Sequence, residues 1–231
     1  MTPGLIFDLD DTLYPERQFI RSGFAAVAAD VERRFGVPRR AALATLIGAL
    51  RRKERGQALQ AMCRAHQLSA DLVPGLVDII RGHAPRLRLP DANARVLHDA
   101  RARGFRLGVL TNGMPAVQAR KAAALGIAAL VDEVVFAEDW GSGRGKPEPE
   151  SFEVLLARLR VPACASVFVG DDPWCDIFGA RRAGMRTILV CRDLPRAGRS
   201  RGCQADRVVG DLADVPDIAT SLLCREAANA A

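Results

Sequence analysis

A chain of 231 residues and 24.9 kDa that is 49% hydrophobic and 26% charged carries enough apolar material for a packed core and too much to be disordered. Its longest apolar run, about ten residues at 122–131, is roughly half a membrane span and contains Gly126, which excludes a transmembrane helix. The net charge of +6 rests on 33 basic residues, 30 of them arginine, with lysine only at 53, 121 and 146; aromatics are 5% and no aromatic-plus-basic stretch resembles an RNA-binding strand, so the charge reads as codon bias rather than a nucleic-acid surface, while favouring approach of an anionic substrate.

The chain opens Met1-Thr2-Pro3-Gly4 without a basic or long apolar leader, so a cytoplasmic protein with no membrane partner is expected. Six scattered cysteines (63, 164, 175, 191, 203 and 224) form no C-x-x-C pair and are expected to stay reduced. Three histidines (66, 83 and 98) show no ligand spacing with them, which argues against zinc.

The run Leu5-Ile6-Phe7-Asp8-Leu9 predicts a buried strand ending in acidic residues. From 17 to 84 the pattern is helical. Ile20, Phe24, Val27 and Val31 fall on one helix face, and Gly36 and Pro38 end that helix. Further helices are predicted at 39–53, 57–66 and 71–82. With no strand signal among them, residues 16–87 read as a helical domain inserted after the first strand, entered and left through linkers Asp11–Glu16 and Pro85–Pro90. Strands then alternate with helices: helix 92–103, strand 105–110, helix 115–125, strand 134–136, helix 149–159, strand 167–170, helix 176–183, strands 187–190 and 207–209, and helix 212–224. That rhythm predicts an α/β fold, a Rossmann-like parallel sheet with helices on both faces, built from residues 1–15 and 88–231. The polar stretch Pro195–Gln204 is expected to be a mobile loop.

In open parallel sheets ligands bind at the carboxyl ends of the strands, and four polar clusters fall there. Asp8 and Asp10, two apart after a strand, would share a side and invite a divalent cation; a turn rich in capping residues explains them equally well. Thr111-Asn112-Gly113 suits anion oxygens, or is an ordinary cap for the next helix. Lys146, in Gly145-Lys146-Pro147, is a compact cation in an arginine-biased chain, or a solvated loop residue. Asp171 and Asp172 follow a strand directly, and Asp176 stands where a helix cap is expected.

In this order, the D-x-D-x-T, T-N, K-P and G-D-x4-D patterns resemble the haloacid dehalogenase-like (HAD) superfamily of phosphohydrolases over nearly the whole chain. The inserted helices resemble the type-1 cap of its subfamily I, and Ala180-Arg181-Arg182-Ala183-Gly184 is also similar. The resemblance implies Asp8 as nucleophile forming an aspartyl-phosphate, and Asp10 as the acid that protonates the leaving oxygen and then activates water. It implies Mg2+ on the Asp8 carboxylate, the Asp10 carbonyl and Asp171, with Asp176 as a water-mediated partner. Thr111 and Asn112 would hold phosphoryl oxygens and Lys146 would offset their charge. Asp11 and Thr12 are expected to shape the turn, and Trp174 to pack.

The resemblance also sets the alternatives. Dehalogenases of the superfamily lack the Asp10 carboxylate, because a departing halide needs no proton. A Schiff-base phosphonate hydrolase would need a cap lysine, and Lys53 is the only one. Phosphomutases share the core residues, and a non-catalytic binding protein would have lost some of them. The expected partner is a small phosphorylated metabolite, such as phosphoglycolate, a sugar phosphate or a nucleoside monophosphate, whose second anionic group Arg17 or Arg21 could meet; the chain itself is expected to be a monomer or homodimer.

Overall fold

The structure is a computed structural model that describes residues 2–52, 55–138, 145–191 and 205–229. Lys53, Cys203 and the expected loop Pro195–Gln204 lie outside these residues. The chain divides into two compact units, Met1–Pro15 with Arg88–Ala231, and Glu16–Leu87.

In the first unit the described residues form six parallel strands, β1 (Gly4–Phe7), β2 (Arg106–Thr111), β3 (Glu133–Phe136), β4 (Ser166–Gly170), β5 (Arg186–Val190) and β6 (Arg207–Val209), ordered β3-β2-β1-β4-β5-β6. β1 lies between β2 and β4, with Phe7 opposite both Val109 and Val169. The order reverses about β1, so the loops after β1, β2 and β4 open side by side at the sheet's carboxyl edge.

Alternation along the strands supplies both faces of the sheet. Ile6, Leu110, Val135 and Phe168 form one core with Phe152, Leu155 and Leu159 of the helix Pro149–Leu159. A Cβ on Gly108 would stand 2.8 Å from Leu159 Cδ1, so glycine at this strand position lets that helix lie close. Leu5, Phe7, Leu107, Val109, Val167 and Val169 alternate with that set and are also fully buried. Strands covered on both sides therefore read as continuous apolar runs.

The second unit holds four α-helices among its described residues: α1 (Arg17–Phe35), α2 (Arg39–Arg51), α3 (Ala58–Ala65) and α4 (Val73–Gly82). The predicted stripe of α1 is buried, with Ile20, Phe24, Val27 and Val31 meeting Leu46 of α2, Met62 of α3 and Leu76 of α4. Burying each large apolar side chain is worth roughly 1.5–3 kcal/mol, enough for this unit to have a core of its own. Gly36 ends α1 in the left-handed conformation, its N–H donating to the Glu32 carbonyl (2.9 Å).

One predicted helix differs. Helix 176–183 is a π-helical turn, Pro173–Phe178, running into a short α-helix, Gly179–Arg182. Asp172 caps it, accepting the N–H groups of Trp174 and Cys175 (both 2.8 Å), and Pro173 fits a first-turn position that needs no N–H. The capping role expected of Asp176 thus falls to Asp172. The five cysteines among the described residues are unpaired, and no helix there is long and apolar enough to cross a membrane.

Candidate active site

β1 carries Asp8 out of its carboxyl end, where the Asp8 N–H still donates to the Val169 carbonyl (2.9 Å) and keeps it in register with β4. The chain then reverses at Asp11, which adopts φ 56°, a left-handed conformation that aspartate tolerates better than most residues. Thr12 is fully buried after this turn, and its hydroxyl donates to Asp171 Oδ1 (3.4 Å), tying the loop after β1 to the loop after β4.

Lys146 is the hub. Its side chain is 2% exposed, and Nζ donates to Asp8 Oδ1 (2.6 Å), Asp176 Oδ1 (2.7 Å) and the Leu110 carbonyl (3.1 Å). Three acceptors match the three donors of an ammonium group. Asp176 is 1% exposed, and its other oxygen accepts the Asp172 N–H (3.0 Å). A Cβ on Gly170 would overlap the Asp176 carboxylate, so only glycine leaves room for this arrangement.

Carboxylate oxygens of Asp8, Asp171 and Asp176 lie within 4.8 Å of one another. The Asp8 carboxyl stands at about 8, raised by burial first and by the Asp176 charge, with Lys146 pulling the other way. Asp171 rises to about 6, through burial and then the charges of Asp176 and Asp11. Burial works against the Lys146 charge, but Asp176 and Asp8 outweigh it and hold the ammonium well above its ordinary range. Asp8 and Asp176 thus share one buried cation with Asp171 close by, a cluster short of positive charge.

Asp10 engages a different set of partners. Oδ1 accepts the Tyr14 hydroxyl (2.6 Å) and Lys121 Nζ (2.9 Å), and Oδ2 accepts Lys121 Nζ (2.7 Å) and Gln118 Nε2 (2.8 Å). Gln118 and Lys121 sit one turn apart on the helix Pro115–Ala124 that follows β2. The same Gln118 nitrogen donates to Thr111 Oγ1 (2.6 Å). Tyr14, Gln118 and Lys121 are absent from the sequence expectation. The scarcity of lysine that drew attention to Lys146 applies equally to Lys121.

Asn112 has a role beyond the expected one. Its Nδ2 donates to the Lys146 carbonyl and its Oδ1 accepts the Lys146 N–H, both at 2.8 Å. The amide holds the backbone beside a cis Lys146–Pro147 peptide, so its side chain fixes the lysine loop while using one of its two N–H donors. Thr111, expected beside it, is buried at the end of β2 with its hydroxyl in the Gln118 bond.

The haloacid dehalogenase-like hydrolase family matches residues 2–184, which span all four polar clusters. The chain belongs to this family. The glyceraldehyde 3-phosphate phosphatase of Methanocaldococcus jannaschii is 27% identical over 96% of this HAD-like chain and 99% of its own. The phosphoserine phosphatase of Thermus thermophilus is 32% identical over 79% and 70%. Among solved structures, the 2-haloacid dehalogenase from Pseudomonas syringae is 27% identical with a TM-score of 0.63, covering 97% of this chain and 99% of that one. The chain is thus a HAD-like hydrolase with named phosphatases among its relatives.

Proposed function

We propose that this hydrolase is a Mg2+-dependent phosphatase that cleaves a small phosphate monoester through an aspartyl-phosphate on Asp8. The supporting observation is the setting of Asp8: at the end of the central strand, paired with buried Lys146, and grouped with Asp171 and Asp176. The donor set fits the ion. Hard carboxylate oxygens suit Mg2+, and the cluster lacks the charge it would bring. Asp8 and Asp171 would hold it, with the Asp10 carbonyl, and Asp176 nearby. When bound, it neutralises charge on the nucleophile and on the phosphoryl oxygens.

In this reading Asp8 attacks phosphorus, a new P–O bond forms, and the bond to the leaving oxygen breaks. Asp10 gives that oxygen its proton, then takes one from water as it attacks the aspartyl-phosphate, restoring Asp8 and releasing phosphate. Lys146 stays charged throughout and pulls the Asp8 carboxyl back toward the ionised form that attacks. Thr111 lines the phosphoryl site, and Asn112 acts by placing Lys146. Residues 16–87 form the cap domain of this reading, and the substrate is a small metabolite such as a triose phosphate, a phosphorylated amino acid or phosphoglycolate.

A dehalogenase is the second reading, on the strength of the Pseudomonas syringae likeness. The presence of Asp10 tells against it, because the departure of a halide needs no proton and gives a second carboxyl group there no task. The deciding experiment is phosphate release from a panel of small esters, with Mg2+ and with EDTA, beside chloride release from 2-chloropropionate. Metal-dependent phosphate release from a few related esters is expected. Chloride release without phosphate release would overturn the proposal.

A further inference from the structure

Lys121 is a buried cation on an alanine-rich helix. Burying an ammonium group is costly unless close partners offset its lost hydration. Here the offset is the Asp10 carboxylate, gripped through both oxygens at 2.7 and 2.9 Å. Tyr14 and Gln118 add one donor to each oxygen, so the carboxylate plane is fixed as well as its position. Through its single amide nitrogen, Gln118 also sets the distance from Asp10 to the Thr111 hydroxyl.

We propose that Lys121 is a positioning residue for Asp10, and that Gln118 couples Asp10 to the phosphoryl-binding hydroxyl of Thr111. A proton donor displaced by about an ångström loses much of its effect on the step it serves. Lys121 therefore supports the protonation of the leaving oxygen without touching the substrate. The inference rests on the phosphatase reading, in which Asp10 is the acid.

The test compares two esters that differ in their need for that proton. The nitrophenolate of p-nitrophenyl phosphate departs unaided, whereas the phenolic oxygen of phenyl phosphate titrates near 10, like tyrosine, and gains from protonation. The measured quantity is kcat/KM, which reports formation of the aspartyl-phosphate. Lys121→Met, checked for native circular dichroism, is expected to lose at least about tenfold more on phenyl phosphate than on p-nitrophenyl phosphate, a part of the 10²–10⁴ that general acids supply. Tyr14→Phe removes a single donor from the same carboxylate and is expected to show the same selectivity to a smaller degree, so it carries the test if Lys121→Met does not fold. Equal losses on both esters in folded variants overturn the inference and leave the phosphatase reading standing. Wild-type protein that releases phosphate from neither ester overturns both.

Discussion

Lys146 Nζ lies 2.6 Å from Asp8 Oδ1, although 138 residues separate the two in sequence. The same nitrogen holds Asp176, so one cation balances two buried carboxylates from different loops. Removing one partner of such an arrangement leaves charge buried without compensation. Lys146→Met is expected to abolish phosphate release and to lower stability by about 3–5 kcal/mol, read from urea unfolding followed by circular dichroism.

Asp8→Asn tests the nucleophile with little change in shape. The amide keeps a carbonyl oxygen facing Lys146, so the fold is expected to survive, while phosphate release falls to background because no aspartyl-phosphate forms. Normal turnover in a purified variant of confirmed mass would sink the assignment.

Gly170→Ala and Gly75→Ala are the same chemical change with opposite expected results. A Cβ at 170 overlaps the Asp176 carboxylate and would push it off Lys146, whereas nothing lies within 4 Å of a Cβ at 75, inside α4. The first is expected to lower both the melting temperature and activity. The second is expected to add about 0.5–1 kcal/mol by restricting the unfolded chain. Thermal unfolding of the pair checks both signs.

Asp132 joins the turn before β3 to the start of β2. Its Oδ2 accepts the Leu107 N–H (2.8 Å), and Oδ1 meets Arg101 and Arg106 (both 3.3 Å). Burial pushes its carboxyl up, but the Leu107 bond and the two guanidinium groups outweigh that and hold it below its ordinary 3.8. A depressed carboxyl stabilises the fold fully above its unfolded value and loses that contribution as pH falls through its folded one. The gap in denaturation midpoint between wild type and Asp132→Asn is therefore expected to be constant from about pH 5 to 7 and to shrink below about pH 4. A gap that widens in acid would contradict this.

Much of this architecture was legible in the chain because its signals are local. Apolar runs punctuated by acids mark strand ends, and a parallel sheet brings such ends together whatever the details of packing. Asp8 and Asp171 follow from that rule, whereas Lys146, ten residues beyond β3, was marked by the rarity of lysine and by the family resemblance. The holders of Asp10 do not. Helical spacing says that Gln118 and Lys121 share a face, but what that face meets depends on a reversal at Asp11 that lies a hundred residues away in sequence. The backbone role of Asn112 was hidden for a related reason. An amide at a strand end suits an oxyanion and a backbone equally, and its bonds to Lys146 depend on the return of a loop 34 residues away in sequence. At residues 172–176 two aspartates compete for one helix start, and the buried lysine claims Asp176, leaving the cap to Asp172.

The central place of β1 has a consequence for biosynthesis. Its neighbours are β2 and β4, made about one hundred and one hundred and sixty residues later, so β1 must wait for both partners after it is made. The inserted helices have local contacts and can form while β1 waits. A chain stopped before Gly170 would hold Asp8 without Asp171 or Asp176, so a truncated product cannot assemble the charge cluster.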